Sequence, residues 1–159
     1  IGKKEVMSEA QSTFISSTFW TERIGPTAAL ATLESMKAEN SWIRISELGK
    51  KIKNGWSKIA KENNLNISIG GLDAMAYFSI NSNNWNKYKT LITQEMLKRG
   101  FLASNSIYAS IAHNETLINN YLNELQDIFK IISSIENDNS SINNYLKNPE
   151  AHTGFKRLN

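Results

Sequence analysis

Residue types able to do polar chemistry are few in this chain, and they are scattered. His113 and His152 are the only histidines, and they stand too far apart to read as a ligand pair. There is no cysteine, which removes disulfides, thiolate metal sites and a thiol nucleophile. No carboxylate stands at a ligand spacing, so no metal site is expected. The serines lie in no Gly-x-Ser-x-Gly elbow. Gly70-Gly71 lacks the spaced third glycine and following helix of a dinucleotide fingerprint. Gly2-Lys3-Lys4 and Gly49-Lys50-Lys51 lack the preceding glycine and the Ser or Thr of a phosphate loop.

One cluster has a chemical use. Ser16-Ser17-Thr18 precedes Gly25-Pro26 and a helix, and hydroxyls with free backbone N–H groups near a helix start can hold a phosphate. An ordinary Ser/Thr turn has the same composition, and spacing alone does not separate the two.

The elements that would position these residues are read from periodicity. Residues 1–24 read as a short helix or turn followed by a loop. Gly25-Pro26 opens a helix, because proline is tolerated in a first turn whose N–H groups lack partners. Ala28, Ala29, Leu30, Ala31, Leu33 and Met36 follow, and Asn40-Ser41 reads as a joint. A second helix runs from Trp42 to Asn63, with Ile45, Leu48, Ile52, Trp56 and Ile59 drawing one apolar stripe. Strands are expected at Asn66–Ile69, Ala74–Ile80, Phe101–Ser104 and Ile107–Ala112. In the second of these, Ala74, Ala76, Phe78 and Ile80 alternate with Met75, Tyr77 and Ser79, the two-residue period of a strand. A third helix, Trp85–Arg99, sets Tyr88, Leu91, Ile92 and Met96 inward and stops at Gly100. Asn114 can cap a long fourth helix carrying Leu117, Tyr121, Leu125, Ile128, Phe129, Ile132 and Ile135. A short helix is expected over Ser140–Lys147. The connections are too short for a doubly wound parallel sheet. The expected class is therefore α+β, a small antiparallel sheet covered by helices on one face, preceded by a long connecting helix.

Composition sets the outer bounds. A chain of 159 residues with 40% apolar and 21% charged residues suits one domain, or a small domain with part of a neighbour. No apolar run approaches the roughly 18 to 20 residues that cross a bilayer, and no secretory signal is visible, so neither a membrane partner nor export is expected. The chain opens Ile1-Gly2-Lys3-Lys4 with its first methionine at Met7, as expected of a segment cut from a longer polypeptide. Net charge is +3. The basic cluster Lys50, Lys51, Lys53, Lys58 and Lys61 reads as a solvated helix face, and nucleic acid is not an expected partner.

Gly2-Lys3-Lys4-Glu5-Val6-Met7, followed by FISSTFWTERIGPTAALATLE from Phe14 to Glu34, resembles class III pyridoxal-phosphate-dependent aminotransferases, and within them proteins like glutamate-1-semialdehyde 2,1-aminomutase. LITQEMLKRGFLASNSIYASIAHNE, from Leu91 to Glu115, is similar to the small domain of the same family, as is the closing HTGFKRLN. The resemblance covers essentially the whole chain, in order. It implies the C-terminal portion of a fold-type I enzyme: residues 1–24 from the large cofactor-binding domain, 25–40 as an interdomain helix, and 41–159 as the C-terminal small domain. It implies pyridoxal 5'-phosphate as cofactor, small amine and carbonyl substrates, a cytoplasmic homodimer, and amino transfer as the reaction.

The resemblance carries Thr18 over as the residue whose hydroxyl reaches the cofactor phosphate of the other subunit, with Ser17 beside it. It places the Schiff-base lysine ahead of Ile1, so no residue of this chain is expected to be catalytic and the chain is expected to be inactive alone. Two departures bear on substrate. Trp20-Thr21-Glu22-Arg23-Ile24-Gly25-Pro26 replaces the usual Gly-Gly-Asn-Pro text after the threonine. Tyr108 stands near a position where aminomutases carry a glutamate, which favours transamination over the mutase reaction. Arg23, Tyr108 and His113 are candidates to face the site, although a surface ion pair, a core aromatic and a helix-start cap account for them more simply. A free-standing, non-catalytic α+β interaction module of the same ancestry is the alternative.

Overall fold

A computed structural model describes residues 2–14, 18–19, 21–138 and 141–151. The chain divides into two units, Ile1–Glu39 and Asn40–Asn159.

The first unit holds helix α1 (Lys4–Ser8), a 3-10 turn at Glu9–Ser12 and helix α2 (Ile24–Glu39), and no described residue in it is buried. Helix α2 begins one residue ahead of the Gly25-Pro26 pair. Its first intrahelical N–H bond runs from Thr27 to the Arg23 carbonyl at 3.0 Å, so the N–H that Pro26 lacks had no partner to lose. The helix ends at Asn40, whose φ of 48° is left-handed, a conformation asparagine tolerates better than most residues.

The second unit carries the core. Helix α3 (Ser41–Glu62) buries Ile52, Trp56, Ile59 and Ala60 along one stripe. Strand β1 (Ile67–Leu72) turns through Asp73-Ala74 into β2 (Met75–Ile80), and β2 pairs antiparallel on its other side with β3 (Ser106–Tyr108). Helices α4 (Trp85–Lys98) and α5 (Glu115–Asp138) complete the unit. Ala76, Phe78 and Ile80 are buried while Met75 and Tyr77 are exposed, so the helices cover one face of the sheet and the fold class is α+β. Phe78 is the packing centre: its ring lies 4.9 Å from Trp56, 5.6 Å from Phe129 and 6.1 Å from Trp85. Such tilted and edge-on pairs set the positive ring edge against the negative face.

The polar groups at the centre of this core are paired, while Ser41 Oγ at the start of α3 is buried without a hydrogen-bond partner. The Trp56 indole N–H donates to the Tyr121 hydroxyl at 2.9 Å. The Tyr88 hydroxyl donates to Glu136 Oε1 at 2.5 Å, where the Ser82 hydroxyl also donates at 2.8 Å. Arg99 ties α4 to α5, its Nε lying 3.0 Å from Glu124 Oε2 and a terminal nitrogen 3.1 Å from Glu95 Oε2.

Four expectations need correction. Phe101–Ser104 is not a strand. The chain turns at Gly100, the Phe101 N–H returns to the Met96 carbonyl at 2.9 Å, and Ser104 meets the Thr93 hydroxyl at 3.0 Å, so α4 takes up this segment. The following strand is confined to Ser106–Tyr108 and does not reach Ala112. The expected helix begins at Ser140, outside the described residues; over 141–147 there is instead a 3-10 turn at Ile142–Asn144, after which the chain runs along α4. There the Gln94 amide donates to the Tyr145 carbonyl at 3.0 Å and accepts from the Lys147 N–H at 2.8 Å. On α5 the inward residue of the first turn is Ile118, whereas Leu117 is 40% exposed. No helix among the described residues is long and apolar enough to cross a membrane.

Candidate functional site

The two groups of site candidates fall in different units. Thr18 and Arg23 belong to the first. Thr18 sits in a turn ahead of α2, exposed, and its hydroxyl makes no hydrogen bond among the described residues. Ser16, Ser17 and the closing segment from His152 to Asn159 lie outside the described residues. Arg23 is exposed, and its carbonyl receives the first bond of α2. A dianionic phosphate needs several short donors. One exposed hydroxyl fits a single accessory contact to such a group, not a complete phosphate site.

Tyr108 and His113 belong to the second unit and line one cleft of about 280 Å³ with Phe101, Leu102, Ile118 and Tyr121. Strand β3 sets Tyr108 outward, 70% exposed. His113 closes the turn before α5: its Nδ1 accepts the Ser110 N–H at 3.0 Å. In the neutral ring the proton therefore sits on Nε2. One residue later, Asn114 caps α5 by accepting the Leu117 N–H at 2.8 Å, as its position just before the apolar run requires. Tyr121 forms the floor, and burial pushes its hydroxyl well above the ordinary tyrosine value despite the bond donated by Trp56. Its place in the α5 stripe reads as plain core. Only the structure shows that its hydroxyl is held by Trp56 of α3.

Beside this cleft lies a groove of about 390 Å³ between α3 and the start of α5. Lys51 and Glu115 meet across it at 2.9 Å, and that contact lowers the Glu115 carboxyl below its ordinary range. The basic stripe of α3 is largely spent this way. Lys53 pairs with Asp73 at 3.0 Å, and Lys58 stands 3.9 Å from Glu62. Among the described residues there is no group of three or more His, Cys, Asp or Glu side chains placed to hold a metal.

No protein-family model matches the sequence. Among solved structures, the chain is similar to the pyridoxal-phosphate internal aldimine form of the FumI protein of Sphingopyxis sp. MTA144, with a TM-score of 0.73 and 17% identity. The likeness covers 87% of this chain and 33% of that one, so this chain spans about a third of the FumI length. At that identity the likeness is one of fold: helices, three-stranded antiparallel sheet and helices in the order found in part of a pyridoxal-phosphate protein.

Proposed function

We propose that this chain is the C-terminal portion of a class III pyridoxal-phosphate-dependent aminotransferase, similar to glutamate-1-semialdehyde 2,1-aminomutase, and that residues 41–159 are its small domain. Two independent likenesses support the reading: the ordered text from Gly2 to Glu115, and the shared fold over 87% of the chain. In this reading residues 1–24 belong with the cofactor domain and 25–40 join the two. Pyridoxal phosphate, when bound, supplies a ring that withdraws electrons from the carbon bearing the substrate amine. The Schiff-base lysine lies in polypeptide ahead of Ile1.

The chain's own residues bind, orient and shield. Thr18, with Ser17 beside it, donates to the cofactor phosphate of the partner subunit in a cytoplasmic homodimer, which fixes the reactive end of the cofactor. The small domain keeps water from the reacting carbon, and the outer sheet face, with Leu72, Met75, Tyr77 and Tyr108 exposed, offers apolar surface for that task. Amino transfer of a small amine to a carbonyl acceptor is the reaction that the substitution pattern around Tyr108 favours over the mutase exchange.

Pyridoxal phosphate and borohydride added to this chain alone leave no single lysine stoichiometrically modified. A unique, complete lysine adduct overturns the reading. The parent polypeptide expressed whole absorbs visible light when loaded with the cofactor, and Thr18→Val weakens cofactor retention about tenfold, the loss of one charge-assisted hydrogen bond. A reading frame without a lysine-bearing domain ahead of Ile1 favours the non-catalytic module instead.

A further inference from the structure

We propose that the free edge of β3 docks an extended polypeptide segment, which adds a fourth strand to the sheet and sets one uncharged apolar side chain into the cleft beneath it. The inference does not depend on the enzymatic reading. It begins from the ladder. The Phe78 N–H donates to the Asn105 carbonyl and the Ala109 N–H to the Ala74 carbonyl, each at 2.9 Å. In an antiparallel pair, residues two apart send their backbone groups to the same side. Asn105, Ile107 and Ala109 therefore face β2, and the N–H and C=O of Ser106 and Tyr108 face away from it. Both residues are exposed, and among the described residues the sheet ends at β3.

The opposite edge shows what a protected edge looks like in this protein. The Asn81 N–H donates to the Asn66 carbonyl at 2.8 Å, so the same parity turns Ile67, Ile69 and Gly71 outward on β1. There a lysine closes the edge: Lys53 Nζ reaches the Gly71 carbonyl at 2.7 Å. Short length, capping lysines, prolines and bulges are the usual protections of an edge strand. Strand β3 has only the first, being three residues long.

The side-chain chemistry at β3 says what the added strand carries. Phe101, Ile107, Leu117, Ile118 and Tyr121 line the cleft of about 280 Å³ against the strand, and its lining includes no Asp, Glu, Lys or Arg. Alternate side chains of an added strand point to opposite faces, so one of them enters this cleft. The one imidazole in the lining, His113, already accepts the Ser110 N–H through Nδ1, and with no Asp, Glu, Lys or Arg there a charged side chain would be desolvated without an ion-pair partner. Leu102, 95% exposed at the rim, extends the apolar contact. Main-chain bonds supply the affinity, and the pocket selects the residue.

Amide exchange and nitrogen-15 spectra of the full chain test this. The probe is a blocked heptapeptide alternating threonine with valine and leucine; the control is the same peptide N-methylated along one edge. In the free chain the Ser106 and Tyr108 amides exchange at least about 100-fold faster than those of Ile107 and Ala109. Millimolar probe slows Ser106 and Tyr108 about tenfold, and the N-methylated control does not. Ser106→Pro keeps the fold, because proline is tolerated where the N–H points off an edge, and it abolishes the protection. Ile107→Pro breaks the pairing with β2. The proposal is overturned by any of several results: protection of Ser106 and Tyr108 before peptide is added, equal damage from the two proline variants, equal binding of both peptides, or no response to the probe. Indole filling the cleft while the peptide leaves these amides unchanged also overturns it, and marks a small-molecule pocket instead.

Discussion

Tyr88 and Gly49 are two single residues whose contribution to stability can be read directly. Burial, then the hydrogen bond to Glu136 and the charge of that carboxylate, pushes the Tyr88 hydroxyl from its ordinary 10.0 up to about 12. The native chain therefore keeps this proton after the unfolded chain has lost it. The stabilisation is complete below about pH 10 and disappears as pH rises towards about 12, a loss of about 2 to 3 kcal/mol. Tyr121 is shifted in the same direction, chiefly by burial. Urea denaturation at about pH 9 and about pH 11 should show about half of this fall, and Tyr88→Phe should reduce it, leaving the part due to Tyr121. A stability that does not change across that interval would mean the hydroxyl is not held. Gly49 is constrained by backbone: a Cβ there would sit 1.7 Å from the Asp73 carbonyl oxygen. Gly49→Ala must displace the hairpin turn, and about 1 to 3 kcal/mol of stability is expected to go. A thermal melt of that variant indistinguishable from the parent would show that the turn does not rest on α3.

Among the elements, the β1–β2 hairpin and α3 behave as one piece. Lys53 reaches both the Gly71 carbonyl and Asp73 Oδ1, and Gly49 lets the turn sit against the helix. Helices α4 and α5 are joined through Glu95, Arg99 and Glu124. Burial alone would raise the Glu95 carboxyl, but hydrogen bonds from Lys98, Gln94 and Arg99 outweigh it and hold it below its ordinary value. The stripes of α3, α4 and α5 were legible because each repeats every three or four residues for several turns. The β3 region was not. Phe101–Ser104 and Ser106–Tyr108 each mix apolar residues with a serine, and only the bonds from α4 to the first of them decide which one joins the sheet.

At the scale of the molecule, every buried apolar residue among those described lies in the unit from Asn40 onward. Residues 40–159 expressed alone are therefore expected to fold, melting within about 3 °C of the full chain. A drop of about 10 °C or a loss of cooperativity would contradict this. The first unit is different. Phe14 is 99% exposed, and Ile24, Leu30 and Leu33 are exposed along α2. The apolar residues of α2 gather on no single face, and none of them is buried among the described residues.

The sequence by itself determined the class of the fold, the long helices, the buried face of β2 and the cap at Asn114. Each of these depends on local spacing or on a single neighbour along the chain. It also carried the resemblance that singled out Thr18. Only the tertiary structure decided that Tyr108, His113 and Tyr121 share one cleft, that Lys53 guards one edge of the sheet, and that Ser106 and Tyr108 leave the other open. These follow from contacts between residues far apart in the chain, and from the parity of a ladder that starts where α4 releases its C-terminal turn. No local pattern encodes that starting point.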